Sequence, residues 1–349
     1  MAEVAQPVDP VEGRQPMPAG DRRYGLLQVA LLGLRAGPAL ILLLLVVVVS
    51  LTTPVFFTSR NIGNVFSQTA VIAVLALGQL LVIVSRGIDL SVGSTVALSG
   101  VVGAIVFLHV HSTVLVVFVI LATGLTVGLA NGLVFVLGRV PHPFIVTLAS
   151  LSIARGLALW AANGTLISGM PSPIDTLGGG SIDWLPYSFF VVLGLAVVAL
   201  VGTTYLVWGR WLYAVGGNPD AARRAGIPVG RVLVTVYALS GLAAGIGGLI
   251  TAGLIDAGSP TAGDLAELDS IAAVIIGGAA FAGGRGNVGN ALVGAFTIGV
   301  IRNALNLHNV NAFYQLMAIG VIVLVAVEGD VVRGYVENRV RLARATRHG

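Results

Sequence analysis

The polar residues that could do chemistry in this sequence lie in short segments between long apolar runs. In residues 85–94, Asp89 or Ser91 could accept hydrogen bonds from the free N–H groups at the start of the next helix. A carboxylate within an apolar stretch costs about 2.5–3.5 kcal/mol, so Asp89 needs a partner or water, and Arg86 is within reach. This segment is therefore either a capped helix start or the polar lining of a pathway.

A second polar segment, at residues 259–269, carries three carboxylates. Asp264 and Glu267 have the spacing of a capping box, and Asp269 leads directly into apolar sequence. These carboxylates either begin a helix or face a water-filled mouth. In the second case they could accept hydrogen bonds from the hydroxyl groups of a polyhydroxylated solute.

A third segment, residues 216–228, predicts a short helix. Asn218 is a favourable N-cap, Pro219 suits the first helical position, and Gly226 followed by Pro228 ends the helix. A helix of two turns is marginal by itself in water. We expect it either to dock on another surface or to connect two spans while its arginines bind lipid headgroups.

Four further polar residues are predicted to lie inside apolar runs. Asn131 and Asn303 favour hydrogen bonds between helices, although their amides could also line a pathway. Arg155 and Arg302 are costly there, so they either serve a function or extend to the headgroup region.

The residue types exclude several classes of enzyme. Residues 284–289 match G-x-G-x-x-G, but an apolar run precedes them and the required acidic residue is missing, so we interpret the glycines as a tight turn. The sequence has no cysteine, and its 5 histidines lack metal-ligand spacing. All 19 basic residues are arginine, which excludes a phosphate loop with its lysine. We expect no catalytic residue, no metal and no cofactor bound by this chain.

The elements that position these segments are predicted to be membrane-spanning helices. Of the 349 residues, 56% are hydrophobic and only 10% are charged, whereas about a quarter of an average soluble protein is charged. We predict an all-α polytopic membrane protein of about ten transmembrane helices, with the glycine-rich runs at 92–110 and 270–283 as candidates for broken or re-entrant segments. The ten apolar runs are 36–57, 65–84, 92–110, 114–137, 144–161, 188–208, 232–254, 270–283, 289–306 and 312–327.

The arginines predict an orientation and a domain organisation. With the amino terminus inside, sixteen arginines fall in inside segments and only Arg60 falls outside, which is the bias of cytoplasmic loops. We therefore expect both termini in the cytoplasm, and the net charge of +4 indicates orientation and no nucleic-acid partner. The predicted parts are a flexible cytoplasmic tail (1–35), a transmembrane domain (36–327) with a cytoplasmic loop at 209–231, and a basic cytoplasmic tail (328–349).

Two glycine pairs within the predicted spans indicate close helix packing. Gly124 and Gly128 lie four residues apart, as do Gly241 and Gly245, a spacing that lets helix backbones approach in lipid. Packing within one subunit is favoured over a dimer face. Because the longest outside segment, 162–186, is too short for a core of its own, an energy source or a solute receptor must come from another chain or from an ion gradient.

Taken in order, the motifs resemble those of the permease subunits of bacterial ABC importers of the ribose type. The resemblance covers roughly residues 60 to 330. The matching stretches are residues 87–94, 143–148 with 154–156, 214–218 continuing to 225–227, 259–263, 267–269 with 271–274, and 303–307 followed by 314–315.

This resemblance implies a complex in the bacterial plasma membrane. Two permease subunits, expected to be a homodimer, would join two cytoplasmic ATPase domains, which bind ATP and Mg²⁺, and an external solute-binding protein. This chain would form the pathway for a monosaccharide or a similar small polyhydroxylated solute, without catalytic activity of its own. The alternative is a secondary transporter driven by an ion gradient, with broken helices at a midplane site.

The resemblance also assigns candidate residues. Residues 220–226 resemble the E-A-A-x-x-x-G coupling loop that docks on the ATPase, with Asp220 in place of Glu, and Asp is also favourable in the first turn of a helix. The coupling candidates are Asn218, Asp220, Ala221, Ala222, Arg223, Arg224 and Gly226. The candidates for the pathway or for substrate contact are Asp89, Ser91, Asn131, Asp264, Glu267, Asp269 and Asn303.

Overall fold

A computed structural model describes residues 37–345, so the predicted tail at 1–35 and residues 346–349 lie outside the described part. The described residues fall into two units, residues 37–331 and a second unit to which residues 332–345 belong. Of the second unit, the structure describes residues 332–345, which are helical.

Residues 37–345 form α-helices joined by short connections, with four strands of two residues each. The elements in chain order are α1 (Gly37–Thr52), α2 (Ser59–Val84), α3 (Val92–His109), α4 (Thr113–Leu137), α5 (Pro143–Ala161), β1 (Ile167–Ser168), α6 (Ser172–Gly179), β2 (Ser181–Ile182), β3 (Leu185–Pro186), α7 (Tyr187–Thr204), α8 (Val207–Gly217), α9 (Pro219–Arg224), α10 (Val229–Leu254), β4 (Ala257–Gly258), α11 (Ala266–Ile276), α12 (Val288–Leu307) and α13 (Ala312–Ala345).

Eight of the helices described are long and apolar enough to cross a membrane, namely α2, α3, α4, α5, α7, α10, α12 and the Ala312–Gly329 part of α13. The other two predicted spans are shorter than expected. The run at 36–57 forms the helix α1, which ends at Thr52, and the run at 270–283 is helical only up to Ile276. The helix α13 continues past residue 327, the predicted end of the transmembrane domain.

The two glycine-rich runs behave differently. The run at 92–110 is the unbroken helix α3, so the suggestion that it is broken is wrong. Its Gly103 faces Ile120 of α4 with no room for a Cβ atom, and its backbone keeps helical hydrogen bonds because lipid offers no alternative. The chain after α11 does leave the helix, with Gly278 at φ 83° and Gly283 at φ 82°, values that favour glycine.

The centre of the bundle includes α2 and α10. In the most apolar 18-residue stretch of each helix, 83% and 67% of the residues are buried. The glycines of α10 pack on those of α4. A Cβ atom at Gly241 would lie 2.7 Å from Gly128 Cα, and one at Gly124 would lie 2.7 Å from Gly245 Cα. This contact confirms the prediction that the two glycine pairs pack helices within one subunit.

The outward helices present apolar side chains at their surface. In the most apolar 18-residue stretch, only 22% of the residues are buried in each of α4, α5 and α7, and only 6% in α13. Large side chains such as Phe118, Leu193 and Val321 are more than two-fifths exposed. Exposure of this apolar surface to water would be unfavourable, whereas contact with the acyl chains of lipid is favourable. The exposed helices therefore agree with a polytopic membrane protein.

Two small antiparallel pairs order the connections at the far end from α9. The strand β1 pairs with β4, with Ile167 opposite Gly258, and β2 pairs with β3, with Ser181 opposite Pro186. The first pair joins the segment before α6 to the segment after α10. Asp256 strengthens this junction because its carboxylate accepts a hydrogen bond from the Met170 N–H at 2.8 Å.

Candidate functional site

The short helix predicted at residues 216–228 is present as α9. The Asn218 side-chain oxygen accepts hydrogen bonds from the N–H groups of Asp220 and Ala221 at 3.1 and 3.0 Å. Pro219 occupies the first turn, where its missing N–H costs nothing. The helix start is thus built as the sequence predicts.

The helix α9 ends at a left-handed glycine. Gly226 has φ 81°, its N–H donates to the Arg223 carbonyl, and the Ile227 N–H donates to the Ala222 carbonyl, each at 3.0 Å. Hydrogen bonds of this kind, from the N–H groups just after a helix back to carbonyls of its last turn, satisfy carbonyl groups at the helix end. This geometry explains why glycine stands at position 226.

One side of α9 packs on its own chain and the other is free. Ala222 is buried, whereas the side chains of Asp220 and Arg223 are 74% and 69% exposed and lie 3.4 Å apart. An exposed pair of this kind contributes only about 0–1 kcal/mol. The polar side of α9 therefore presents charged, largely exposed side chains that a partner could contact.

Three segments meet beside α9, held by Arg86. The Arg86 side chain donates from Nε to the Gly216 carbonyl at 2.6 Å and from a terminal nitrogen to the Gly217 carbonyl. The Gly284 N–H donates to the Val84 carbonyl at 2.8 Å. The end of α8, the end of α2 and the loop before α12 are thereby joined. Arg86, which the sequence places within reach of Asp89, donates its hydrogen bonds to the backbone carbonyls of α8 instead.

Asp89 is the centre of a buried polar network. Its carboxylate accepts hydrogen bonds from Ser91 N–H at 3.0 Å, Ser91 Oγ at 2.6 Å and Ser240 Oγ at 2.9 Å. Asn131 donates to Ser91 Oγ at 2.8 Å and accepts from Ser150. Burial raises the pKa of Asp89, and these hydrogen bonds lower it in part. The network ties the α2–α3 connection to α4, α5 and α10.

Sequence reasoning missed three members of this network, Ser150, Ser240 and Gln79. Ser240 lies in α10, and the Gln79 amide, oriented to satisfy both of its groups, donates to the Asp89 carbonyl and accepts from the Asp89 N–H at 3.2 Å each. Gln79 was visible as a lone amide in the apolar run of α2. Because Asp89 is fully buried, it meets its hydrogen-bonding needs inside the protein, and its role in a pathway stays a prediction.

The first carboxylate of the segment at residues 259–269 does not cap a helix. The N-cap position of α11 is Leu265, at φ 60° and without a side-chain cap hydrogen bond, so the predicted capping box of Asp264 and Glu267 is wrong. Asp264 is 75% exposed and lies 3.8 Å from an Arg155 nitrogen. Arg155 also donates to the carbonyls of Pro260 and Ala262 at 2.8 and 3.0 Å, and these contacts hold the loop in its place.

The other two carboxylates of this segment point into the protein. Asp269 is buried and forms an ion pair with Arg302, so Arg302 has a partner within the protein and does not depend on the headgroup region. Glu267 is buried against Gly93, where any residue with a Cβ atom would collide with the carboxylate. Glu267 Oε2 has no hydrogen-bond partner among residues 37–345. The three acids are thus not gathered at one mouth.

Asn303 joins α12 to α2. Its amide donates to the Asn61 side-chain oxygen at 2.8 Å, and the Asn61 amide donates back at 3.1 Å. Both residues are buried, and such a reciprocal pair satisfies two amides that lipid could not. Asn131 and Asn303 are therefore both bonded between helices, as the more favoured interpretation predicts.

The structure shows no grouping for metal chemistry among the residues it describes, since no three histidine or carboxylate side chains converge there. The G-x-G-x-x-G match at residues 284–289 covers the turn before α12 and the start of that helix. Tyr213 donates from its hydroxyl to the Gly286 carbonyl at 2.8 Å. The glycines of this motif serve the junction beside α9.

Comparison with known proteins identifies the family. Residues 61–327 match the family described as "Branched-chain amino acid transport system / permease component". The chain is 39% identical to the ribose import permease protein RbsC of Escherichia coli (strain K12) over 296 residues, which is 83% of this chain and 91% of the relative. It is 36% identical to the L-arabinose ABC transporter permease protein AraH of Azospirillum brasilense over 300 residues, 86% of this chain and 88% of the relative.

A third relative is the xylose transport system permease protein XylH of Escherichia coli (strain K12), which is 33% identical over 344 residues, 80% of this chain and 86% of the relative. No solved structure matches the chain. The family and the apolar helices together indicate a multi-pass protein of the bacterial inner membrane. The chain belongs to the ABC transporter permeases of this family, and within them to the ribose-type sugar permeases.

Proposed function

We propose that this chain forms the translocation pathway of an ATP-driven importer for a monosaccharide or a similar small polyhydroxylated solute. An external binding protein delivers the solute, and a partner ATPase on the α9 side supplies the energy. The observation that carries this proposal is the geometry of α9, which is capped at both ends, packed on one side and charged on the free side. That side suits insertion into a cleft of a partner chain.

The contacts beside α9 suggest how movement of the ATPase reaches the pathway. A shift of α9 would be passed through Gly216 and Gly217 to Arg86 at the end of α2. Three residues further along the chain begins the Asp89 network, which contacts α4, α5 and α10. The nucleotide supplies the shift only through its different affinity for the closed and open ATPase dimers.

The substrate class is proposed from the relatives and from the outer carboxylates. The names of the relatives specify ribose, arabinose and xylose. Asp264 is 75% exposed, and if its end of the bundle is the outer one, its carboxylate could accept hydrogen bonds from sugar hydroxyls there. We further propose that both termini are cytoplasmic, that α9 lies on the cytoplasmic side, and that two copies of this chain form the complete pathway.

Charge reversal on α9 tests the proposal. In the assembled transporter, Arg223→Glu with Arg224→Glu is expected to abolish solute uptake and ATPase binding while the permease still folds, because both side chains are exposed. Uptake of radiolabelled sugar and co-purification of the ATPase are the measurements. The control is Arg210→Glu, an exposed arginine on α8 outside the coupling helix. Wild-type uptake in the double variant would refute the coupling assignment.

The same uptake assay distinguishes the proposed importer from the alternative, a secondary transporter driven by an ion gradient. A secondary transporter would lose uptake when an ionophore collapses the ion gradient and would keep uptake without ATP. The proposed importer shows the opposite dependence in vesicles loaded with ATP.

Removal of the Arg86 side chain is expected to uncouple the transporter. Arg86 is exposed and has φ 71°, so Arg86→Gly fits the backbone and opens no cavity in the core. It removes hydrogen bonds from a charged donor, each worth about 1.5–3 kcal/mol. We expect uptake to fall about tenfold or more while assembly and basal ATP hydrolysis remain.

The matched control for this variant is Arg139→Gly. Arg139 is also an exposed arginine with positive φ, at 52°, in the turn between α4 and α5. Its replacement gives the same change in charge and backbone freedom away from α8. Equal uptake in the two variants, whether high or low, would contradict a specific role for Arg86.

A further inference from the structure

An apolar groove of about 530 Å³ lies between α2, α7 and α10 and ends at Trp208. Its floor is the close contact of α2 with α10, where a Cβ atom at Gly78 would lie 2.9 Å from Ala243 Cβ. Its walls are side chains of α7 and α10, among them Val198 and Leu239. Neither the coupling contacts nor the Asp89 network uses this groove.

The length and position of the groove match one leaflet of a membrane. On α10 it extends from Thr235 to Ile246, which at 1.5 Å per residue is about 16 Å. The hydrocarbon core is about 30 Å thick, so the groove covers about half of it. On α2 it is lined only from Leu77 to Leu81, near the helix end at Val84, and on α7 only from Leu195 to Thr203, near the helix end at Thr204. Both ends lie on the side of α8 and α9, so the groove lies toward that half of the membrane.

The end of the groove near α9 offers groups for a polar head. Trp208 lines this end, and its indole N–H is buried without a hydrogen-bond partner among the residues described. Arg231 is exposed one helical turn before Thr235, whose hydroxyl donates to the Arg231 carbonyl at 2.8 Å. Residues four apart lie on one face of a helix, so Arg231 continues the row of α10 residues that lines the groove.

We propose that this groove binds one acyl chain of an anionic phospholipid from the leaflet on the α9 side. The chain lies along α10, the Trp208 indole donates to an ester or phosphate oxygen, and Arg231 attracts the negative charge of the headgroup. Basic residues beside gaps between membrane helices favour anionic lipid in this way. The site does not depend on the transported solute, so its failure would leave the proposed function untouched.

Fluorescence quenching of Trp208 tests the site. The full chain is used with phenylalanine in place of Trp160, Trp184 and Trp211, so that Trp208 is the only tryptophan whose fluorescence is measured. The protein is placed in phosphatidylcholine bilayers that contain a small share of either brominated phosphatidylglycerol or brominated phosphatidylcholine. We expect phosphatidylglycerol to bind about fivefold more tightly beside Trp208, which corresponds to about 1 kcal/mol per arginine near an anionic surface.

Matched variants identify the groups responsible. Arg231→Gln should remove the preference for phosphatidylglycerol, because Arg231 lies one helical turn before Thr235 on the face that lines the groove. Arg210→Gln should keep the preference, because Arg210 is two residues after Trp208 and so does not share its face of α8. Gly202→Leu should weaken quenching by both lipids, since Gly202 lines the groove and has no atom within 4 Å of a Cβ position. Gly194→Leu on the same helix has the same free space outside the groove and should change nothing.

Three results would overturn the proposal. Equal quenching by the two lipids would show an apolar surface without headgroup recognition. An unchanged preference for phosphatidylglycerol in Arg231→Gln would show that Arg231 does not attract the headgroup. Absence of quenching by either lipid, with normal uptake, would show that protein, such as a second copy of this chain, covers the groove.

Discussion

Gly241→Val is expected to prevent stable folding of the protein. A Cβ atom at this position would lie 2.7 Å from both the Cα and the N atom of Gly128, and closer still to the Gly124 carbonyl oxygen. These are backbone atoms, so no rotamer change can relieve the collision, and α4 would have to separate from α10. Overpacking of a core typically costs 1–3 kcal/mol, occasionally more, and we expect at least about 3 kcal/mol here, which is a large share of the usual 5–15 kcal/mol.

The measurement is size-exclusion chromatography and thermal melting of the detergent-extracted protein. Gly194→Val on α7 is the control, because no atom lies within 4 Å of a Cβ position there, and it makes the same change of residue type in a helix. We expect the control to melt within a few degrees of the wild type. A folded Gly241→Val variant with an unchanged melting temperature would show that α4 and α10 do not meet through these glycines.

The glycine contact also shows how far the sequence alone could go. The four-residue spacing of Gly124 and Gly128 and of Gly241 and Gly245 predicted close helix packing. It could not say that one pair packs against the other, because that depends on how the whole bundle assembles. Local signals were sufficient for α9, where Asn218 and Gly226 set the ends of the helix through contacts with near neighbours.

Contacts between distant residues were the part that sequence reasoning missed. Arg86 bonds to carbonyls 130 and 131 residues away in the chain, and a backbone carbonyl carries no residue-specific signal. From the sequence, Asp89 could therefore be named only as a carboxylate within its reach. The predicted capping box is absent because Leu265, in a left-handed conformation, occupies the N-cap position, and Asp264 lies one residue before it.

The identity of the apolar runs was predicted better than their continuity. Glycine content alone suggested that both 92–110 and 270–283 could be broken, yet only the second leaves the helix. In α3 the glycine at position 103 makes room for a neighbouring helix. After α11 the glycines adopt positive φ. Both uses need the same small residue, so composition cannot separate them.

The second large effect is expected at the ion pair between Asp269 and Arg302. The Asp269 side chain is only 5% exposed, and that of Arg302 is 33% exposed. Arg302→Met would leave the carboxylate buried without a charged partner, which costs about 3–5 kcal/mol. We expect a lower melting temperature and less folded protein. In Asp269→Leu with Arg302→Met no charge remains buried, and replacement of a whole pair by apolar residues is often neutral, so most of the lost stability should return.

This pair of variants also separates a structural role of Asp269 from a role in the pathway. The control for stability is Arg223→Met, which breaks the exposed pair with Asp220 and should cost no more than about 1 kcal/mol. If the double variant at 269 and 302 is stable and transports sugar at the wild-type rate, Asp269 serves only to hold α11 against α12. If it is stable but inactive, Asp269 or Arg302 acts on the solute or on the opening of the pathway. An unchanged melting temperature in Arg302→Met alone would contradict the expected cost of the unpaired carboxylate.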